Sequence, residues 1–294
     1  MQDTKVIVIT GASGGIGAAL AKHMGAQGHQ IVLAARRERE LKEVAGGIGQ
    51  NALPVRCDVT HRSDVERLKT VALERFGRID VWVNNVGRGI GRKVLELSDD
   101  DLEEMLSVNL KSALYGMQVI IPYFQEQGSG HLINISTFLS RVPFATYRSA
   151  YSAAKAALNC LTANLRMDLR ASHPGIHISL VMPGTVLTDF AKNALGGTPA
   201  IAHGASSVKP QTADEVAAVI ADVIENPKPE VYTNPILADI AHRYCEDIAA
   251  FEEGLAWEKL TCVELAQVFS IHLKVRDSRV ENAERVCPQA FCEI

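Results

Sequence analysis

The chain has 294 residues, 47% of them hydrophobic, and its 30 basic and 34 acidic residues give a formal net charge of −4. That length suffices for one substantial core, and the weak negative charge argues against nucleic acid or an anionic membrane as a partner. We find no apolar run of membrane-spanning length and no signal segment, which predicts a cytoplasmic protein without membrane contact. The six scattered cysteines predict reduced thiols and no metal site.

The N-terminal residues predict a strand, a glycine-rich turn and a helix in succession. Residues 5–10 form a β-branched apolar run of the kind found in strands buried on both faces of a parallel sheet. The glycines that follow allow a sharp turn and let a pyrophosphate approach the amides at the helix N-terminus. The sequence therefore predicts a dinucleotide site formed by Gly11, Ser13, Gly15, Ile16 and Gly17.

The predicted second strand, residues 30–35, ends where an NAD-binding chain places an acidic residue for the ribose 2′-hydroxyl. This position holds Ala35, and Arg36 and Arg37 follow it. Without a carboxylate to repel a phosphate, and with two guanidinium groups to bind it, the site is predicted to favour NADP(H) over NAD(H). The alternative is that both arginines open a charged helix and are only solvated.

Further apolar strands are predicted at 52–56, 79–84, 130–136, 176–182 and 230–233, alternating with helical patterns. This alternation predicts an α/β Rossmann-type doubly wound fold with helices on both faces of a seven-stranded parallel sheet. Ligands then bind at the carboxyl ends of the strands. We assign residues 1–255 to a single NAD(P)-binding catalytic domain and residues 256–294 to a C-terminal extension of unknown role.

Tyr151 and Lys155 lie four residues apart, so on a helix they share one face. An ammonium beside a phenol favours the phenolate, which brings proton transfer by tyrosine closer to neutral pH. Of the six tyrosines, only Tyr151 has a lysine at this spacing. The pair is therefore a candidate acid–base site, and the alternative is an exposed tyrosine stacked on a lysine side chain.

Taken together, these motifs resemble the classical short-chain dehydrogenases/reductases, whose motifs occur in the same order across roughly residues 5–235. The resemblance is carried by Thr10-Gly-Ala-Ser-Gly-Gly-Ile-Gly17, Cys57-Asp58-Val59, Asn84-Asn-Val-Gly87, Asn109, Asn134-Ile-Ser-Thr137, Tyr151-x3-Lys155 and Pro183-Gly184.

The resemblance implies a set of cofactor contacts beyond the glycine turn. Residues near the adenine and its ribose would be Asp58, Val59, Asn85, Val86 and Gly87. Residues near the nicotinamide and its ribose would be Tyr151, Lys155, Pro183, Gly184, Val186 and Thr188.

It also implies a mechanism in which Tyr151 protonates a carbonyl oxygen while NADPH delivers hydride, or the reverse with an alcohol. Lys155 would lower the pKa of Tyr151, and Asn109 would hold a water molecule bonded to Lys155. The family usually has a second serine where this chain has Thr137, after Ser136. Register from the preceding strand favours Thr137 as the catalytic hydroxyl, and Ser136 is the alternative.

Two regions are predicted to contact a small carbonyl or alcohol substrate. An apolar wall of Phe138, Val142, Phe144, Leu187 and Phe190 favours an uncharged compound, and residues 187–209 have the composition of a mobile lid. Arg88 and Arg92 are the alternative, as a site for an acidic group.

The helical patterns at 100–127 and 150–172 suit subunit packing, and the resemblance implies a homodimer or homotetramer. The rival interpretation is a non-catalytic NADP(H) sensor or scaffold of the same fold. An epimerase or dehydratase is a lesser alternative.

Overall fold

The computed structural model of the protein describes residues 4–197 and 208–254. Within this part of the chain the main sheet has seven parallel strands in the order β3-β2-β1-β4-β5-β6-β9. These strands are β1 (Val6–Thr10), β2 (Gln30–Ala35), β3 (Ala52–Arg56), β4 (Val81–Asn84), β5 (Gly130–Ile135), β6 (Ile176–Met182) and β9 (Glu230–Tyr232). A two-residue parallel pairing of β7 (Val186–Leu187) with β8 (Gln211–Thr212) lies apart from it.

The described residues contain nine α-helices. They are α1 (Gly15–Ala26), α2 (Glu38–Ile48), α3 (Arg62–Phe76), α4 (Asp99–Leu106), α5 (Ser112–Gln127), α6 (Ser149–Arg170), α7 (Ala213–Glu225), α8 (Ile236–Glu246) and α9 (Ile248–Gly254). Apolar side chains of α1, α2 and α7 form one core cluster with the sheet, and those of α3, α5 and α6 form a second. Because β1 is buried on both faces, its continuous apolar sequence matches its position at the centre.

The predicted doubly wound fold is confirmed. The strand order reverses direction at β1, which pairs with β2 on one side and with β4 on the other. A crevice at the carboxyl ends of the strands is expected at such a reversal, and it is where ligands bind in open α/β sheets. The short β7–β8 pair was not predicted, because two residues are too few to show a pattern.

The predicted helical run from about 100 to 127 is one continuous helical segment in which the hydrogen-bonding pattern changes. Between α4 and α5, Ser107–Lys111 adopts π-helical geometry. This widening contains Asn109, which is fully buried. Local π geometry inside an α-helix is common at functional sites.

By contacts, the chain separates into a unit that ends at Ala241 and a second that begins at His242. In the second, the ring of Tyr244 packs edge-on against Phe251 with centroids 5.3 Å apart. The predicted extension at 256–294, and much of the predicted lid, lie outside the described residues. None of the described helices has both the length and the apolarity to cross a membrane. The described residues contain no group of three metal-binding side chains.

Candidate functional site

The glycine turn after β1 is held in a conformation that requires glycine. Gly11 and Gly15 have φ angles of 70° and 53°, in the left-handed region. A Cβ atom at Gly17 would lie 2.6 Å from both Asn85 Nδ2 and the Gly11 carbonyl oxygen. Asn85 itself donates to the Thr10 carbonyl oxygen at 3.0 Å, so its amide supports the turn from β4.

This turn borders a cleft that suits a pyrophosphate. The residue that precedes α1 is Gly14, which has no side chain to cap the helix. The backbone N–H groups of the first turn are therefore not bonded by a capping side chain. The cleft has a volume of about 710 Å³, and its polar lining includes Ser13, Lys22, Thr188, Asp189 and Lys192. The residues therefore fit a dinucleotide at the predicted place.

Arg37 lies over the glycine turn, and Arg36 lies over the end of β3. Arg37 Nε donates to Ser13 Oγ at 3.2 Å, and Arg36 Nη1 lies 3.9 Å from Asp58 Oδ2. A second cleft of about 550 Å³ is lined by side chains that include Arg36, Arg56 and Asp58. Four arginines thus lie near the carboxyl ends of β2 and β3, namely Arg36, Arg37, Arg56 and Arg67.

The carboxylate of Asp58 is held by its own loop. Its Oδ1 accepts hydrogen bonds from the backbone N–H of Thr60 at 3.1 Å and from the Thr60 hydroxyl at 2.7 Å. Burial acts to raise the pKa of Asp58, but these hydrogen bonds and the charges of Arg36 and His61 hold it below its usual value. Val59, the next residue, is buried. Asp58 is therefore an anionic acceptor at the position predicted for the adenine.

Tyr151 lies in the first turn of α6, and only 7% of its surface is exposed. Its ring packs against Phe190 with centroids 5.3 Å apart. Burial raises the pKa of Tyr151 to about 12, while a hydrogen bond with the Thr137 side chain and the charge of Arg148 act to lower it. Proton transfer by this phenol near neutral pH needs further stabilisation of the phenolate.

The ammonium of Lys155 is held by backbone carbonyl oxygens near the ends of two strands. It donates to the carbonyl oxygen of Ile135 at 2.8 Å and to that of Val86 at 3.4 Å. Burial lowers the pKa of Lys155 to about 7. That Lys155 lowers the pKa of Tyr151 stays a prediction, and in this structure burial of the phenol is the largest influence on that pKa.

The two candidate hydroxyls after β5 have different partners. Ser136 Oγ donates to Asn159 Oδ1 at 2.6 Å, and Asn159 Nδ2 donates to Ser140 Oγ at 2.7 Å. Thr137 Oγ accepts from the backbone N–H of Leu139 and bonds with Tyr151. Ser136 thus belongs to a buried polar network behind the site, whereas Thr137 faces the phenol.

Asn109 and Lys155 approach the same glycine from different helices. A Cβ atom at Gly87 would lie 3.3 Å from Asn109 Oδ1 and 3.7 Å from Lys155 Nζ. Asn109 Oδ1 accepts from the backbone N–H of Arg88 at 2.9 Å, and its Nδ2 donates to the carbonyl oxygens of Arg88 and Met105, each at 3.0 Å. The Asn109 amide thus fixes the segment that follows β4.

The turn after β6 joins several predicted positions. The carbonyl oxygen of Pro183 accepts from the backbone N–H of Phe138 at 2.8 Å, which ties this turn to the one after β5. A Cβ atom at Gly184 would lie 3.0 Å from Leu237 Cδ1. Val186 begins β7, and the Thr188 side chain packs over Gly15. The turn therefore approaches the glycine loop from the opposite side of the cleft.

The predicted substrate wall falls in separate places. Phe190 covers Tyr151, whereas Phe138 packs against Phe144 with centroids 6.0 Å apart. Leu187 is 63% exposed and lines the larger cleft. Val142 is buried.

The two arginines considered for an acidic group already bind carboxylates. Arg88 forms an ion pair with Glu104, and Arg92 Nε lies 3.0 Å from Asp101 Oδ2. These arginines are therefore bound to α4.

Sequence reasoning missed Arg148. It precedes α6, is only 6% exposed, and its Nη1 donates to the carbonyl oxygen of Ile90 at 3.0 Å. The signal that could have identified it is a cationic residue close in sequence to Tyr151, directly before α6.

Comparison with known proteins identifies the family of the chain. Residues 5–197 match the sequence model described as short chain dehydrogenase. An uncharacterized oxidoreductase of Staphylococcus epidermidis is 36% identical over 188 residues, which cover 64% of this chain and 80% of that protein.

Solved structures agree in fold. A short chain dehydrogenase/reductase from Burkholderia phymatum in complex with NAD has a TM-score of 0.76 at 27% identity and covers 88% of this chain and 98% of its own. An alcohol dehydrogenase from the archaeon Thermococcus sibiricus, complexed with 5-hydroxy-NADP, has a TM-score of 0.68 at 26% identity and covers 78% of this chain and 96% of its own.

Proposed function

This chain belongs to the classical short-chain dehydrogenase/reductase family and is an oxidoreductase, and from that premise we propose that it transfers hydride between NADP(H) and a carbonyl compound or secondary alcohol. The observation that carries the proposal is the pairing of a buried Tyr151 with Thr137 at the carboxyl edge of the sheet. This edge also carries the glycine turn and its cleft.

The residues that would hold the cofactor line the two clefts. The amides of the first turn of α1 and the side chain of Ser13 would bind the pyrophosphate, and Asp58 would accept from the adenine amine. Lys155 would bind the nicotinamide ribose, and Thr188 would lie near the carboxamide. When bound, the nicotinamide supplies or accepts the hydride.

NADP(H) is favoured by the charge around the ends of β2 and β3. Arg37 is already positioned over the glycine turn by Ser13, and Arg36 borders a cleft that also contains Arg56. A 2′-phosphate suits guanidinium groups, which bind phosphate oxygens with two parallel hydrogen bonds. Solved structures of this fold contain NAD in one case and 5-hydroxy-NADP in another, so the fold does not decide between the cofactors. The proposal of NADP(H) for this chain therefore rests on these arginines.

Tyr151 transfers the proton in the proposed reaction. In reduction, its hydroxyl donates a proton to the substrate oxygen and becomes a phenolate; in oxidation, the phenolate removes the hydroxyl proton of the alcohol. Thr137 donates a hydrogen bond to the same substrate oxygen, where negative charge develops. Asn109 keeps the segment after β4 in place beside Lys155.

The apolar surroundings of Tyr151 support an uncharged substrate. Phe190 covers the phenol, and the nearby Arg88 and Arg92 are bound to Glu104 and Asp101. A panel of neutral and carboxylated carbonyl compounds, assayed by NADPH oxidation, tests this. Activity confined to carboxylated compounds would contradict it.

The decisive experiment is Tyr151→Phe. We expect NADPH to bind with an unchanged Kd, measured by nucleotide fluorescence, while turnover falls by about 10²-fold to 10⁴-fold because the acid–base group is lost. The matched control is Tyr115→Phe on α5, whose ring contacts Arg62 at 4.6 Å and, among the described residues, none of the site. Wild-type turnover in Tyr151→Phe would refute the catalytic role and favour a nucleotide-binding sensor.

We also propose that α5 and α6 pack against a second copy of the chain. The support is that α6 presents Met167, which is 64% exposed. Sedimentation equilibrium tests this, and a monomer at micromolar concentration would exclude it.

A further inference from the structure

Arg148 is a buried cation in the first layer around Tyr151. It directly precedes α6, whose first turn carries Tyr151. The donation from Arg148 Nη1 to the Ile90 carbonyl oxygen fixes the guanidinium against the loop after β4.

The guanidinium of Arg148 lies near two aromatic rings. Its carbon is 5.1 Å from the centroid of the Tyr147 ring, and the two side chains also share a hydrogen bond. A Cβ atom at Gly89 would lie 2.6 Å from Arg148 Nη1 and 2.9 Å from Phe190 Cε1. The guanidinium carbon lies 5.8 Å from the centroid of the Phe190 ring, and the same ring packs on Tyr151. The cation and the phenol thus share an apolar neighbour, and charges interact more strongly there than in water.

The other charged side chains near Tyr151 in the described part of the chain form ion pairs or hydrogen bonds, as Arg148 does with the Ile90 carbonyl oxygen. On α4 and the loop after β4, Arg88 pairs with Glu104 and Arg92 with Asp101. On the segment that carries Phe190, Lys192 lies 2.8 Å from Asp189.

On α6 itself, one turn beyond Tyr151, the ammonium of Lys155 is bound to the Ile135 carbonyl oxygen. Thr137, which bonds with the phenol, carries no charge. Arg148 shares the Phe190 ring with the phenol, and its charge acts to lower the pKa of Tyr151.

We propose that Arg148 is a second cation of the active site, a positioning residue whose charge stabilises the phenolate of Tyr151. The inference rests on the proposed role of Tyr151 as the proton-transferring group. It also gives Arg148, which precedes Tyr151 in the sequence, a part in stabilising the phenolate, a role expected of Lys155. Burial and Arg148 act on the phenol in opposite directions, as the pKa of Tyr151 reflects.

The test measures ionisation of the phenol without turnover. Replacing Tyr151 with difluorotyrosine, a more acidic phenol, brings its titration into an accessible pH range, and phenolate absorbance then gives the pKa in the protein without added ligand. In this background we expect Arg148→Met to raise that pKa by about one unit, because an opposite charge nearby favours the ionised form. Arg148→Lys should restore most of the shift.

The matched control is Arg166→Met on the same helix. Arg166 also donates to a backbone carbonyl oxygen, that of Pro229, but it lies fifteen residues beyond Tyr151, about 22 Å along the helix. This variant should leave the phenol pKa unchanged. Thermal unfolding of all variants shows whether each is folded.

An unchanged phenol pKa in folded Arg148→Met would overturn the inference, whatever the turnover. In the tyrosine enzyme, the pH profile of alcohol oxidation should move to higher pH by about one unit, so that the rate on its rising limb falls about tenfold. Failure of the proposed function is separate: it appears as full turnover in Tyr151→Phe, which does not affect the titration.

Discussion

The ammonium of Lys155 donates a 2.8 Å hydrogen bond to the carbonyl oxygen of Ile135, the last residue of β5. This bond ties the second turn of α6 to the carboxyl end of the sheet, between the glycine turn and Thr137. Because the ammonium is buried there, its charge is costly, and the pKa of Lys155 falls to about 7. The same placement holds the ammonium at the sheet edge, where a cofactor ribose would bind.

Lys155 should make the free energy of unfolding depend on pH. Its folded pKa of about 7 lies below the usual value for lysine, near 10.5, so between these limits the unfolded chain binds more protons. The Lys155 contribution to stability is therefore greatest above pH 10.5 and is lost as pH falls toward 7.

Deprotonation of Lys155 should raise the free energy of unfolding by about 2–3 kcal/mol between pH 7.5 and pH 9.5. Urea unfolding of Lys155→Met at both pH values should lack this increment, whereas Lys111→Met, at an exposed ion pair with Glu103, should retain it. An equal increment in Lys155→Met would show that the ammonium is not desolvated.

Thr137 and Ser136 should differ in what they affect. Thr137→Val removes the hydroxyl that faces Tyr151, and we expect kcat to fall about 100-fold, the usual loss for one donor to a developing oxyanion. Thr137→Ser should stay within a few-fold of wild type.

Ser136→Ala should keep kcat but lower the free energy of unfolding by about 1–2 kcal/mol, because Asn159 Oδ1 loses its donor. Steady-state kinetics and urea unfolding of the same three proteins separate the roles. If Ser136→Ala were the variant that lost turnover, the assignment would be reversed.

The two arginines after β2 should set the cofactor preference. Arg36→Asp places a carboxylate where a 2′-phosphate would bind, and we expect the Kd for NADPH to rise about 10-fold to 100-fold while that for NADH changes little. Arg39→Asp on α2, whose side chain is 81% exposed, is the control. A preference unaltered by Arg36→Asp would remove this residue from the phosphate site.

Gly89 should tolerate no side chain, because Arg148 and Phe190 fill the space beside it. We expect Gly89→Ala to displace them and to lower kcat/KM about 10-fold or more, since small misplacements near the reacting groups are costly. Gly47→Ala, in α2 with nothing within 4 Å, should instead stabilise the fold by about 0.5–1 kcal/mol. Steady-state kinetics and thermal unfolding of the two variants measure these effects. Wild-type kinetics in Gly89→Ala would show that Arg148 and Phe190 can move aside without loss of activity.

The architecture could be predicted because it follows from local patterns. Residues 6–9 and 31–35 are apolar along their whole length and buried, which is typical of strands covered on both faces. The turn after β1 could also be predicted from its glycines, because the left-handed φ angles of Gly11 and Gly15 favour glycine.

Other features required contacts between distant segments. Ser136 is engaged by Asn159 of α6, which leaves Thr137 as the hydroxyl that faces Tyr151. The change from α to π geometry at Asn109 depends on the loop of Arg88, which the amide binds. Neither partner can be identified from spacing along the chain.

By itself the sequence determined the order of strands and helices, the glycine turn and the placement of Tyr151 and Lys155 on one helix, because each depends on residues close together in the chain. Only the tertiary structure decided which way Lys155 points, which hydroxyl meets the phenol and that the charge of Arg148 acts on it. The orientations of Lys155 and Arg148 depend on the carbonyl oxygens of Ile135 and Ile90, which are distant in the sequence. The pKa shifts depend on desolvation, which arises only when the chain is packed.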